Sequence, residues 1–331
     1  MTPDSRQKAS NRSDADWIDA AAALSARGRP LARPNPAVGA LVVQDGRVVA
    51  RGWTRTGGRP HAEADALEQA GKSAEGSTIY VTLEPCAHAS ARGPSCTSLL
   101  LAAKPARVVV GVEDPDPRTA GNGIAALRNA GIAVDVVPTP AAEASLAGYL
   151  LRMRERRPHV TLKLATSLDG RIALPDGSSR WITGPEARAH GHMERARADA
   201  ILVGGETLRA DHPRLDVRLP GLHARSPLRF VLTRGDAPGG WHGVRDVTAP
   251  HAFGEAQWLL VEGGAGAAAA FLAADRVDRL LLYRAPIVIG EGRPCVGDIG
   301  LSSLDAAHGR WRLSGRRQLG SDTLDVYERV R

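Results

Sequence analysis

The chain has little cysteine, few aromatic residues and no long apolar or basic runs. Three cysteines, Cys86, Cys96 and Cys295, stand in 331 residues. They are too few and too unevenly placed for a disulfide framework, so a reducing, cytoplasmic setting is expected. Six Trp, four Tyr and three Phe are scattered along the chain, and no five consecutive Lys or Arg occur. Aromatic-studded basic surface is thus missing, and no nucleic-acid partner is expected despite a net charge of +7 and a pI near 9.8. No apolar stretch reaches about eighteen residues, so no membrane span is expected. Residues Met1 to Asp16 are polar and show no signal-peptide core.

What is present is ordinary for a globular protein: 43% apolar and 24% charged residues. The length suits two domains. A phosphorylated small molecule accounts for the modest positive excess with fewer assumptions than a polyanion.

Strands and helices alternate along the chain. Residues 1–13 read as a disordered tail, and Asp14 or Asp16 can cap a first helix carrying Trp17, Ile18, Ala21 and Leu24. Val38–Val43 and Val48–Trp53 read as strands joined by the hairpin turn Asp45-Gly46. Helices over His61–Ala70, Cys96–Ala103, Ala120–Asn129 and Ala141–Arg154 alternate with strands over Ser77–Leu83, Arg107–Val112 and Ile132–Val137. This pattern predicts parallel pairing with helices on both faces. The basic stretch Arg152–Arg157, closed by Pro158, marks the boundary between domains at 14–155 and 158–330. Beyond it strands are expected at His159–Ala165, Asp199–Val203, Leu228–Leu232, Trp258–Val261, Leu280–Ala285, Trp311–Leu313 and Thr323–Val330, with helices at Pro185–Ala196 and Ala265–Ala273.

The first constellation is His61-Ala62-Glu63, then Pro85-Cys86, then Pro94-Ser95-Cys96. One imidazole and two thiolates can hold a divalent zinc ion and leave a fourth position open for water. The cation lowers the pKa of that water. A carboxylate two residues from the histidine can take the water's proton and pass it to a leaving amine. H-x-E followed by P-C and a second cysteine is the signature of zinc-dependent deaminases. A second H-x-E, His192-Met193-Glu194, has no cysteine pair after it and reads as helix surface; Cys295 reads as a bystander.

Asn35-Pro36-Ala37-Val38-Gly39, His61-Ala62-Glu63 and Thr82-Leu83-Glu84-Pro85-Cys86-Ala87-His88 resemble the deaminase half of the bifunctional riboflavin-biosynthesis deaminase/reductase family. The resemblance implies a cytidine-deaminase-like, three-layer α/β/α domain that replaces a ring amine of a pyrimidinone ribosylamine phosphate by oxygen. It implies one zinc per chain on His61, Cys86 and Cys96, with Glu63 as proton shuttle and with Asn35 and His88 at the substrate. Nine residues separate the two cysteines, one more than the family's pattern.

The second half carries Lys163-Leu164-Ala165-Thr166-Ser167-Leu168-Asp169-Gly170-Arg171, Ser179 to Thr183, and Val203 to Asp211. Loops of small residues, hydroxyls and cations after strands suit a phosphorylated or dinucleotide ligand at strand ends. Gly264 to Ala269 matches G-x-G-x-x-A, but the following strand ends without an acidic residue to meet a ribose, so a Rossmann assignment is not made.

These stretches resemble the reductase half of the same family, which implies a dihydrofolate-reductase-like α/β domain using NADPH to convert the ribosylamine to a ribitylamine. By that resemblance Ala165, Trp181, Thr207, Asp211, Arg234 and the run Gly264, Ala265, Gly266, Ala267 fall at cofactor positions. Ser179, Arg195, Leu215, Arg218 and Glu262 fall at substrate positions, and Lys163 stands beside the reacting centre. The expected partner is the small phosphorylated pyrimidine, and a homo-oligomer is compatible with the sequence. Two other readings stay open: a nucleic-acid adenosine or cytidine deaminase with an accessory domain, and a nucleotide-binding regulatory protein with a structural zinc.

Overall fold

The computed structural model describes residues 12–88 and 90–331, so most of the expected disordered tail lies outside the described residues. Two compact units divide between Arg154 and Glu155. Among the described residues no helix is long and apolar enough to cross a membrane.

In the first unit α1 spans Asp14–Ser25. Its N-cap is Ser13, not an aspartate. The Ser13 hydroxyl accepts the Asp16 N–H at 3.2 Å while Asp16 accepts the Ser13 N–H at 2.9 Å. Then follow β1 (Gly39–Gln44), β2 (Arg47–Trp53), α2 (Ala62–Ala70), β3 (Thr78–Leu83), α3 (Cys96–Ala103), β4 (Arg107–Val112), α4 (Asn122–Asn129), β5 (Ala133–Val136) and α5 (Pro140–Glu155). Asp45 and Gly46 both have positive φ (51° and 71°), as a two-residue hairpin turn demands.

The sheet order is β2-β1-β3-β4-β5. Strands β3, β4 and β5 pair in parallel, but β1 runs antiparallel to both of its neighbours. The expectation of uniform parallel pairing is therefore corrected at β1. The crossover through α2 joins β2 to β3, and the hairpin leaves β1 lying between them. Alternation along the strands separates two cores. Ala40, Val42, Ile79, Val81, Val108 and Val110 face Ala66, Leu100 and Leu127 of the helices on one side. Leu41, Val43, Tyr80 and Val109 face Trp17, Ile18 and Ala21 of α1 on the other. Each fully buried leucine or isoleucine contributes roughly 1.5–3 kcal/mol. The three layers follow from this alternation.

The second unit contains β6 (His159–Thr166), β7 (Arg171–Ala173), α6 (Pro185–Arg195), β8 (Ala200–Gly204), α7 (Gly205–Asp211), β9 (Leu228–Leu232), β10 (His242–Val244) and β11 (Trp258–Val261). It closes with α8 (Ala265–Ala273), β12 (Arg279–Arg284), β13 (Arg293–Pro294), β14 (Trp311–Leu319) and β15 (Asp322–Arg329). Its main sheet has the order β10-β9-β8-β11-β6-β12-β15-β14, and β7 pairs with β13 apart from it. Strands β10 through β12 are parallel, and the hairpin β14–β15 is added antiparallel to β12. Residues 205–211, read from sequence as loop, form α7, and β7, β10 and β13 were not anticipated. These elements have two to seven residues, too few to show a period.

Strand order creates a crevice. From β8 the chain passes through α7 to β9 on one side; from β11 it passes through α8 to β12 on the other. Leu208 of α7 packs with Ile201, Val203 and Leu260, whereas Ala267, Ala268 and Phe271 of α8 pack with Ala200, Leu202 and Leu259. The two helices thus cover opposite faces, and the carboxyl ends of β8 and β11 open between them. Ligands of open α/β sheets bind at such a switch in connection.

Candidate functional site

The first cluster forms where three elements begin or end. His61 is the N-cap residue of α2. Glu84-Pro85 carry the chain from β3 to Cys86. Cys96 opens α3, with the Ser95 hydroxyl capping the Ser98 N–H at 3.1 Å. One ligand atom from each of His61, Cys86 and Cys96 lies within 4.8 Å of the other two. His61 Nδ1 is 3.3 Å from Cys96 Sγ and 3.5 Å from Cys86 Sγ. Cys86 Sγ accepts the backbone N–H of Cys96 at 3.3 Å, so it sits on the positive end of α3, where a thiolate is favoured. The hydrogen bond from the Cys96 thiol, above all, holds Cys86 down to about 4, and Cys96, as its donor, is pushed well above the usual thiol range. One nitrogen and two sulfurs with this spread are of the kind that holds zinc in a three-ligand set.

Glu63 lies beside them in the first turn of α2, 3% exposed. Burial pushes its carboxyl up to about 7 against the pull of His61. A carboxyl poised near neutrality can accept a proton and give it back. Asn35 Nδ2 donates to Gly58 O at 3.1 Å and lies 3.1 Å from His61 Nε2, which holds the ring with Nδ1 toward the sulfurs. Gly58 has φ +82°, and a Cβ there would lie 2.6 Å from Asn35 Cγ, so this turn requires glycine.

Two buried carboxylates that the sequence analysis did not single out brace the cluster. Asp65 accepts Arg55 Nε and Nη2, each at 3.0 Å, and the Trp53 N–H at 3.1 Å, which pins α2 to β2. Glu84 accepts four backbone N–H groups: Asp114 at 3.2 Å, Gly121 at 3.0 Å, Gly123 at 3.0 Å and Ile124 at 3.2 Å. Its signal in the sequence was an acidic residue between an apolar strand and a proline. His88 turns toward Thr119, 3.4 Å from its Oγ1.

In the second unit a cleft of about 440 Å³ opens at the β8–β11 crevice. It brings together Lys163, Ala165, Ser179, Thr207, Asp211, Glu262 and Gly264 to Gly266 from the sequence analysis, and adds Ile172, Glu206 and Arg293. The Gly264 N–H donates to Thr207 Oγ1 at 3.2 Å, at the start of α8. A Cβ on Gly263 would strike Ala267, so glycine is what lets α8 approach β11.

Glu262 and Arg195 pair with each other. Arg195 Nε and Nη2 reach the two carboxylate oxygens at 2.7 and 2.8 Å, and Nη1 donates to Asp216 O at 3.1 Å. Burial alone would raise the Glu262 carboxyl; the Arg195 hydrogen bonds and charge, with Lys163 and His192 behind them, outweigh it and hold it at about 2. Lys163 Nζ stands 3.9 Å from Glu262 and 5.7 Å from the centre of the Tyr283 ring.

The remaining expected residues lie elsewhere. Trp181 is 65% exposed, with the Arg188 guanidinium 4.8 Å from its ring centre. Leu215 is buried with Ile201, Val203 and Leu260, and Ala267 is buried in the main core. Arg218 is exposed, its Nε 3.6 Å from Asp216. Arg234 lines a second cleft at the ends of β9 and β10.

Comparison with known proteins covers both units. The "Cytidine and deoxycytidylate deaminase zinc-binding region" family matches residues 11–112, and the "RibD C-terminal domain" family matches 158–238 and 253–324. The riboflavin biosynthesis protein RibD of Aquifex aeolicus is 34% identical, over 96% of this chain and 98% of that protein. The structure of Acinetobacter baumannii RibD superposes with a TM-score of 0.84 at 33% identity, covering 96% of this chain and 99% of that one. A Thermotoga maritima diaminohydroxyphosphoribosylaminopyrimidine deaminase/5-amino-6-(5-phosphoribosylamino)uracil reductase has the same score at 29% identity, again over 96% and 99% of the two chains.

Proposed function

Because the chain belongs to the RibD family of bifunctional deaminase/reductases of riboflavin biosynthesis, we propose that its two activities divide between these two sites. Deamination is assigned to His61, Cys86, Cys96 and Glu63, and NADPH-dependent reduction to the cleft that Lys163 and Gly264 line. The substrate proposed is a 2,5-diamino-6-ribosylaminopyrimidinone 5′-phosphate, the class that the name of the Thermotoga relative describes. The observation that carries the reading is the approach of one imidazole nitrogen and two sulfurs to within 4.8 Å beside a buried carboxyl.

His61 Nδ1 and the two sulfurs would hold a zinc ion, which would supply a Lewis acid and an activated water. Asn35 keeps the imidazole turned toward it. Glu63, buried beside that set, would take a proton from the attacking water and deliver one to the amine departing as ammonia.

In the second unit, bound NADPH would supply the hydride. The N–H groups at the start of α8, with Thr207, offer donors to its phosphates. Lys163, held by Glu262 and the Tyr283 ring, stands in the cleft placed to protonate the ring oxygen that the sugar carbon would release on taking up hydride. Arg195 fixes Glu262, and Glu262 in turn places the lysine. Three free cysteines fit a cytoplasmic enzyme.

The test is Glu63→Gln. The amide keeps the size of the side chain but cannot accept the proton. Zinc content should stay unchanged while deamination falls on the order of 100-fold or more. NADPH oxidation on already deaminated substrate should continue at close to the unmodified rate. Loss of both activities in a folded, zinc-loaded variant would replace two sites by one composite site.

A further inference from the structure

Helix α6 reaches Lys163 by two routes. One is Arg195, which grips Glu262 beside the lysine. The other runs through His190 and Tyr283, neither of which lines the cleft that Lys163 and Ala165 line. Register explains the second approach. In the parallel pairing of β6 with β12, Lys163 stands opposite Leu281 and Ala165 opposite Tyr283. These four side chains leave the sheet on one face, where Ala165, Leu281 and Tyr283 meet Ala187 of α6. Leu162, Leu164, Leu280 and Leu282 leave it on the face that α8 covers. Ala165 is short, so the Lys163 chain can lean past it toward the ring; its Nζ is 5.7 Å from the ring centre.

Tyr283 itself cannot meet substrate. It is 1% exposed and packs with Ala187, Leu281, Leu324 and Val326. Its hydroxyl lies 2.7 Å from His190 Nδ1, and among the described residues it has no other hydrogen-bond partner. Ala187 and His190 are three apart on α6, so the helix that buries the ring also ties down its hydroxyl. Burial pushes the phenol up, and the negative charges of Glu194 and Glu262 act the same way. Burial pushes the His190 imidazole down, with Arg317, Arg197 and Arg279 acting alongside it against Glu194. At neutral pH the pair is therefore uncharged, and the buried O–H is satisfied by donating to Nδ1.

A cation within about 6 Å of an aromatic ring is drawn to its face, more strongly where water is scarce. Lys163 is such a cation, with its side chain mostly withdrawn from solvent. Lysine is long and loses much rotamer freedom when held in one place, so a single contact leaves its end mobile. Glu262, 3.9 Å away, fixes a distance and lets Nζ swing about the carboxylate. The ring supplies the second point. It can do so only while its own orientation is set, and the bond to His190 sets it.

We propose that His190 and Tyr283 are positioning residues for the reduction: His190 fixes the phenol, and the ring holds the Lys163 ammonium where it delivers its proton. The inference rests on the reading of Lys163 as the proton donor. It goes beyond that reading by giving the lysine a second arm from α6, independent of Arg195 and Glu262. Without an acceptor at His190 the buried phenol turns to seek another partner, and the ring turns with it.

The full-length protein tests this with NADPH and already deaminated substrate, reading kcat and KM separately. His190→Leu removes the acceptor and Tyr283→Phe removes the donor while keeping the ring. Each should lower kcat by about tenfold and leave both KM values within about twofold. His190→Asn, whose Oδ1 can stand near the place of Nδ1, should recover most of the rate. Combined with Lys163→Ala, His190→Leu should cost nothing further, because it acts through the lysine. If Lys163→Ala is slow while His190→Leu and Tyr283→Phe run at the unmodified rate, the proposal is overturned and the reading of Lys163 stands. Losses confined to KM, no recovery in His190→Asn, or losses that multiply with Lys163→Ala would also overturn it. If Lys163→Ala reduces as fast as the unmodified protein, the reading of the lysine itself fails, and the proposal with it.

Discussion

Replacing Glu84 by Gln measures how far the zinc loop depends on a carboxylate outside the ligand set. Glu84 is 2% exposed and receives four main-chain N–H groups, two on each oxygen: Gly123 and Ile124 on Oε1, Asp114 and Gly121 on Oε2. Glutamine is nearly the same size but keeps only one acceptor oxygen. Whichever way the amide turns, two N–H groups meet an NH2 instead of an oxygen. Each charge-assisted hydrogen bond lost contributes about 1.5–3 kcal/mol, so segment 113–124, losing two, should open more easily by about 3–6 kcal/mol. At 1.36 kcal/mol per decade that corresponds to at least about a hundredfold faster amide exchange. Hydrogen exchange read by mass spectrometry on peptides covering 113–124 is the assay. The second unit, which does not contact Glu84 through any of these bonds, serves as the internal control. Zinc should also dissociate faster under chelator challenge, since Cys86 follows Glu84 by two residues. Unchanged exchange across 113–124 in Glu84→Gln would refute the account of Glu84 as the organiser of this loop.

Three further outcomes follow from the geometry. The purified protein should carry about one zinc per chain, and Cys86→Ser should lose most of it by elemental analysis; an undiminished content would remove Cys86 from the ligand set. Lys163→Ala should slow reduction on the order of 100-fold and leave deamination unaltered, read by product mass; equal loss of both would contradict the division of labour. The third concerns acid. Glu262 is held at about 2, below its usual value of 4.5, so its pairing with Arg195 stabilises the fold above pH 4.5 and is lost as pH falls from 4.5 toward 2. The loss is at most about 3 kcal/mol. Urea midpoints should therefore fall less over that window in Glu262→Gln than in the unmodified chain, and parallel pH profiles would show that Glu262 contributes nothing there.

Much of this protein was legible before folding. Zinc chemistry admits few side chains, so His61, Cys86 and Cys96 with Glu63 nearby announced themselves by residue type and order alone. Elements with a full period were equally readable: α3 over Cys96–Ala103, β4 over Arg107–Val112, β11 and α8 lie where the sequence places them. Turn chemistry at Asp45-Gly46 set the first hairpin, because both positions need positive φ.

Partnership was decided only by the tertiary structure. The family resemblance implied Arg195 and Glu262 at substrate positions; that they form a buried ion pair with each other comes from the register of β11 and the position of α6. Leu215, in the loop after α7, turned inward because it packs against Ile201, Val203 and Leu260 of the sheet, and Ala267 because it lies on the core face of α8. The direction of β1, the crevice between β8 and β11, and the cleft that Arg234 and Arg245 both line all depend on strand order. A local motif determines which chemistry a side chain can perform. Which neighbour it performs it with is set by contacts between residues far apart in the chain, whose pairing no local period records.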